Sequence, residues 1–102
     1  MRLFIATSTY TAPIDVIEAT LGEHVAWVVD GYKSRRTLVS GRQAPPVGGA
    51  MVFLAEDPED AQLICDSDPF VRDGLATYDI VEIVPSEGTR RSPEFSAFLA
   101  GR

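Results

Sequence analysis

Cysteine and histidine are close to absent: the 102-residue chain has one of each, Cys65 and His24. A single cysteine excludes a disulfide within the chain and any multi-cysteine zinc or iron–sulfur site. With only one histidine besides, a metal site would have to lean on carboxylates, so no metal and no cofactor are expected. Such sparing use of cysteine fits a reducing cytoplasm. Basic residues are also scarce. Nine Lys and Arg stand against fifteen Asp and Glu, for a net charge of −6. A nucleic-acid binder needs a basic face, and so does a protein that sits on an anionic membrane, so neither partner is expected. No apolar run approaches the roughly 20 residues of a membrane-spanning helix. The stretch before Thr7, Ser8 and Thr9 is too short and too polar to read as a secretory signal. Two local basic clusters, Lys33-Ser34-Arg35-Arg36 and Arg90-Arg91, read as solvated loops or helix ends, where positive charge complements the helix dipole.

What is present suits one globular domain. Hydrophobic residues make up 45% of the chain and charged residues 24%, enough to bury roughly 60–70% of the extended surface on folding. Residues 3–7 read as a strand apolar on both faces, followed by a polar break at Thr9–Thr11. Pro13 suits a helix first turn. From there Ile14, Ile17, Leu21, Val25, Val28 and Tyr32 recur in steps of three and four, an amphipathic helix of about five turns. Gly31 is placed to begin its unwinding, unless the following basic segment extends it. A β-branched strand, Thr37–Ser40, is ended by Gly41, and a Pro/Gly loop leads to the strand Ala50–Ala55. The short connection favours antiparallel pairing. Asp57-Pro58-Glu59-Asp60 carries an N-cap, a first-turn proline and a third-position acid. The helix it opens turns Ala61, Leu63, Ile64 and Cys65 inward. Asp68-Pro69 breaks it, one more turn fits at 70–74, and Thr77–Val84 alternates as a last strand. A short terminal helix is placed on Phe95, Phe98 and Leu99.

The order β-α-β-β-α-β is the ferredoxin-like α+β arrangement: a four-stranded antiparallel sheet with both helices on one face. The other face, with Phe4, Val39, Met51 or Val52 and alternate residues of the last strand, is left bare. A second copy is its simplest cover, which predicts a homodimer through the sheet faces. The domain is placed at 1–85, and 86–102 form a C-terminal extension.

Few residues offer chemistry. His24 lies on the edge of the first helix's apolar stripe. It reads either as a satisfied structural histidine or as a partly buried imidazole able to move a proton, which then needs an orienting acid. Asp68 before Pro69 reads either as a turn starter or as that acid. Two helices on one sheet face bring the pair within reach. Arg42, at a strand end, is a surface arginine or a holder of an anionic group. Ser40 lacks a nucleophile context. Cys65, Trp27 and Tyr32 read as core, and Tyr10 as a weaker pocket candidate.

A helix with a lone His, a strand ending in Ser-Gly, the run Glu-Asp-Pro-Glu-Asp-Ala, Asp68-Pro69-Phe70 and a Gly-Leu-x-x-Tyr-x-Ile-Val strand resemble the YCII-related family over residues 3–84. The resemblance implies a dimeric α/β barrel of two ferredoxin-like protomers. It also implies a His–Asp pair in a cleft, which falls on His24 and Asp68 here. Relatives include muconolactone isomerase-like enzymes and a dehydrochlorinase of chlorinated hydroxyquinols. One departure is at the second strand, which usually ends in Gly-Pro in the family and here ends in Gly41-Arg42. The expectation is a cofactor-independent enzyme of isomerase or lyase type acting on a small oxygenated, anionic metabolite. His24 and Asp68 would be catalytic, and Arg42, Ser40, Phe70 and Tyr78 would contact the substrate. The alternative is a dimeric module that binds a small ligand or a partner without catalysis.

Overall fold

The computed structural model describes residues 1–100, so the last two residues of the expected extension lie outside them. Strands β1 (Arg2–Tyr10), β2 (Thr37–Arg42), β3 (Gly49–Ala55) and β4 (Ala76–Ile83) form one sheet in the order β2-β3-β1-β4. All three pairings are antiparallel. Helices α1 (Ile14–Lys33) and α2 (Pro58–Asp66) cover one face. The single turn α3 (Pro69–Arg72) follows α2, and α4 (Glu87–Arg91) and α5 (Pro93–Leu99) follow β4. The α+β architecture is the one expected from the sequence.

The elements form for local reasons. Asp57 accepts a hydrogen bond from the Asp60 N–H, and the Asp60 carboxylate accepts one from the Glu56 N–H. Pro58 takes the first helical position, where its missing N–H costs nothing. Helix α1 runs through Gly31 and ends with Arg35 in the left-handed region at φ 58°. Gly31 therefore does not unwind the helix. It lets α1 approach β2, because a side-chain carbon there would overlap the Thr37 hydroxyl.

Several expected faces turn out rotated. Phe4 and Met51 point toward the helices, with Phe53, Ala55, Ala61 and Cys65, and form the main core. The core-facing stripe of α1 is Ile17, Leu21, His24, Trp27, Val28 and Gly31, whereas Ile14, Val25 and Tyr32 are exposed. The helix has apolar residues on more than one face, and steps of three and four alone do not say which face wins. Leu63 is exposed rather than inward. Strand β1 continues through the expected break to Tyr10, and β2 continues through Gly41, which pairs with Ala50.

The face away from α1 and α2 is only partly bare. Alternation along β1 and β3 puts Leu3 and Leu54 on it, and both pack against Phe95 of α5, with Ile83, Phe98 and Leu99 beside them. Val52 packs at the edge of that cluster, and Ile5, Val39 and Val81 lie beyond it. Val39 is 52% and Val81 61% exposed.

The β2–β3 loop is tied down onto β1. The Gln43 amide donates to the Ser8 and Gly49 carbonyls, at 2.8 and 2.9 Å. The Gly49 N–H donates to the Ser8 hydroxyl at 2.7 Å, and the Tyr10 N–H to the Val47 carbonyl at 2.8 Å. Gly48 passes so close to β1 that a side-chain carbon would run into the Ser8 carbonyl. Gly48→Ala is therefore expected to destabilise the fold by about 1–3 kcal/mol. A urea unfolding midpoint unchanged from wild type would refute this.

Candidate functional site

The centre of the site is a carboxylate that the chain has removed from water. Asp68 is 0% exposed, and a buried charge survives only when its oxygens are satisfied. Three groups satisfy them. His24 Nδ1 lies 2.8 Å from Oδ1, the Phe70 N–H donates to the same oxygen at 3.0 Å, and the Tyr78 hydroxyl donates to Oδ2 at 2.6 Å. The bond from Phe70 is the N-cap of α3. One side chain thus both starts the turn and holds the histidine.

Tyr78 keeps its proton and remains a donor. Burial pushes its phenol well above the usual range, and the bond to Asp68 pushes it further in the same direction. With Phe70 and Tyr78 both donating, the network is complete when Asp68 is ionised and His24 carries a proton on Nδ1. Nε2 is then the ring nitrogen left with a lone pair. A buried carboxylate behind an imidazole fixes the tautomer and stabilises the imidazolium that forms when Nε2 takes up a proton.

Packing fixes the orientation of the ring. Phe70 stacks on His24 with centroids 4.1 Å apart and planes 9° apart, and Tyr10 meets Phe70 edge-on at 5.9 Å. On α1, Trp27 lies one turn from His24, with ring centroids 5.8 Å apart. Its indole N–H is held at 2.9 Å by the Ser67 hydroxyl, which itself donates to the Ile64 carbonyl.

His24 opens onto two small adjoining cavities between α1 and the β2–β3 hairpin. The first, about 160 Å³, is lined by Val25, Trp27, Val28, Ser40, Met51 and Tyr78 among others. The second, about 130 Å³, is lined by Ser8, Tyr10, Leu21, Arg42 and Phe70. His24, Gly41 and Gly49 border both. Two larger hollows lie elsewhere: one of about 270 Å³ between Leu3, Ile83 and the terminal helices, and one of about 250 Å³ on the open sheet face beside Ile5, Val39 and Arg42. The former contains none of the groups just described.

The structure therefore brings every sequence-nominated residue to one region, in differing parts. Phe70 is 2% exposed, so it acts mainly as the platform under the imidazole. Tyr78 lines the first cavity while its hydroxyl is committed to Asp68. Ser40 lines the same cavity and shares a 2.8 Å hydrogen bond with the Tyr32 hydroxyl, which places Tyr32 at the rim and not in the core. Arg42 reaches the second cavity. Trp27 is a cavity wall as well as a core contact, and with Ser67 it was missed as a site residue. The spacing of Trp27 from His24, one turn along the inner stripe, was the available signal. Cys65 is fully buried and its thiol is pushed up to about 12, chiefly by burial, so it is no nucleophile. Among the described residues no three His, Cys, Asp or Glu side chains gather where they could hold a metal ion, and no helix is long and apolar enough to cross a membrane.

Comparison with solved structures finds the same fold in 5-chloro-2-hydroxyhydroquinone dehydrochlorinase from Burkholderia phenoliruptrix AC1100, solved in complex with 2,5-dihydroxybenzoquinone. The TM-score is 0.72 at 15% sequence identity, over 84% of this chain and 97% of that one. No curated protein matches the sequence significantly. The YCII-related domain model matches residues 1–84, from the first residue to just past the end of β4. The chain belongs to the YCII-related domain family.

Proposed function

We propose that this protein is a cofactor-independent enzyme that moves a proton on a small oxygenated metabolite, with His24 as the group that exchanges it. The observation that carries this reading is the wiring of the imidazole. Nδ1 is bound to a fully buried carboxylate, and the ring borders two cavities that can admit a ligand. A purely structural histidine would be satisfied by the bond to Asp68 and needs no cavity beside it.

The step balances without an outside reactant. Nε2 takes a proton from a substrate carbon next to a carbonyl, and the bonding electrons pass into that carbonyl as an enolate. The imidazolium formed is stabilised by Asp68. In an isomerisation it returns the proton to a different atom. In an elimination the enolate expels a leaving group as an anion, and the imidazolium gives its proton up to water. The fold neighbour is named as a dehydrochlorinase and was solved with a dihydroxybenzoquinone, which supports a small oxygenated ring as the substrate class. The test is NMR-detected deuterium incorporation, in D₂O, into a panel of enolisable ring ketones, lactones and quinols. Wild type should exchange at least one panel member faster than His24→Ala does. Equal rates across the panel would leave the non-catalytic binding module as the better reading.

The protein is further proposed to work as a homodimer through the part of the sheet that α5 leaves open. Ile5, Val39 and Val81, beside the partly covered Val52, form an apolar strip there, which an isolated protomer leaves facing water. Elution near twice the chain mass of 11.1 kDa is expected, with Val81→Glu shifting it to monomer. A wild-type monomer at micromolar concentration would refute the dimer.

A further inference from the structure

The two cavities at His24 differ in chemistry, and the difference specifies a ligand. The first is walled by Val25, Trp27, Val28 and Met51 beside His24 and is lined by no Lys, Arg, Asp or Glu. The second contains Arg42, the one permanent charge lining either cavity. Strand alternation puts Arg42 on the same sheet face as Ser40, two residues before it, and its backbone partner is Gly49, which has no side chain to crowd it. Among the described residues Arg42 has no acidic partner. The nearest buried acid of the site, Asp68, already has its oxygens taken by His24, Phe70 and Tyr78. Arg42 is exposed and stands at the rim of this cavity, bordering also the hollow on the open sheet face; in a chain of net charge −6, it is a local reversal of the molecule's overall field.

We infer that the cleft selects a compact carboxylic acid, whose apolar or aromatic body sits against Trp27 and whose carboxylate sits on Arg42, with His24 between the two. The planar fork of one arginine matches a monoanionic carboxylate held by two parallel hydrogen bonds. A phosphate site normally assembles several cations or a row of backbone N–H groups, and neither lines this cavity. Volumes of about 160 and 130 Å³ fall below the roughly 300–1,000 Å³ of drug-sized sites, which limits the body to about one ring. Arg42 thereby becomes a specificity-determining residue. The assignment rests on the proposed site for its location, but it can be tested without any turnover.

The chain has a single tryptophan, so its indole N–H gives one resolved NMR signal that reports directly on the first cavity. The probes are 4-hydroxybenzoate and the neutral, similarly shaped 4-hydroxybenzamide, titrated into ¹⁵N-labelled protein. Wild type should bind the acid on the order of tenfold more tightly than the amide. Arg42→Ala should erase that preference, and Arg42→Lys should keep part of it. Added salt should weaken the acid alone. The backbone amide spectrum of each variant checks that the fold is kept. Equal affinities in wild type, a preference that survives Arg42→Ala, or no movement of the Trp27 signal with either probe would overturn the inference. Deuterium exchange without an acid preference would sink this inference and leave the proposed enzyme standing. An acid preference without exchange would do the reverse.

Discussion

His24→Ala is expected to lower turnover of a true substrate by about 10²–10⁴-fold, the contribution of a positioned acid–base group. The fold should survive the change. His24 is on the core-facing stripe, but its side chain keeps 21% of its surface exposed, and a small side chain there lets water reach Asp68 from the cavity. The loss should fall on kcat more than on KM, because the imidazole acts on the proton in flight and the ligand body is held by other groups. Steady-state kinetics together with a thermal melt decide it. Full turnover in the variant, or a collapse of folding that explains the loss, would refute the role.

Substitution of Asp68 should have the largest effect on stability of any single change at the site. Asp68→Ala strands three partners at once: the Tyr78 hydroxyl, the Phe70 N–H and His24 Nδ1. Removing one side of a buried, hydrogen-bonded pair costs about 3–5 kcal/mol, and the lost cap of α3 is part of that sum. For a domain of this size the melting temperature should fall by on the order of 15 °C or more. Asp68→Asn separates structure from chemistry. The amide oxygen still accepts from Tyr78, but its NH2, at the cost of the bond from the Phe70 N–H, can donate to His24, which favours the tautomer with the proton on Nε2 and no lone pair facing the cavity. Stability should fall less than in the alanine variant, and turnover by up to about 10⁴-fold. An Asn variant that is destabilised yet fully active would show that the carboxylate serves the fold alone.

How much of this was legible beforehand depended on how local the signal was. The cap and proline of α2, the hairpin and the alternation of β4 are written in adjacent residues, and these elements lie where the sequence placed them to within a few positions. The His24–Asp68 pairing was legible only as a topological inference, since 44 residues separate the two. Facing was the weak point. Phe4 sits in a strand apolar on both sides, and α1 has valines and isoleucines around much of its circumference, so the sequence pattern could not choose the buried side. The parts of the site without a motif were also hidden. Ser67 looks like a loop serine until Trp27 donates to it, and Tyr78, though part of the Gly-Leu-x-x-Tyr run and nominated as a substrate contact, gives no sign in the sequence that its hydroxyl binds Asp68.

The double duty of Asp68 has a consequence for evolvability. The imidazole, its platform Phe70 and the start of α3 all depend on one buried carboxylate, so drift at any of them endangers folding before it retunes chemistry. The hairpin opposite carries no such burden at its rim. Ser40, Gly41 and Arg42 are intermediate or exposed, and nothing lies within 4 Å of where a Gly41 side chain would begin. Laboratory selection for new substrates should therefore accumulate its changes along that edge of β2 and leave the α1–α3 side untouched, so that libraries confined to positions 40–42 keep most of their members folded.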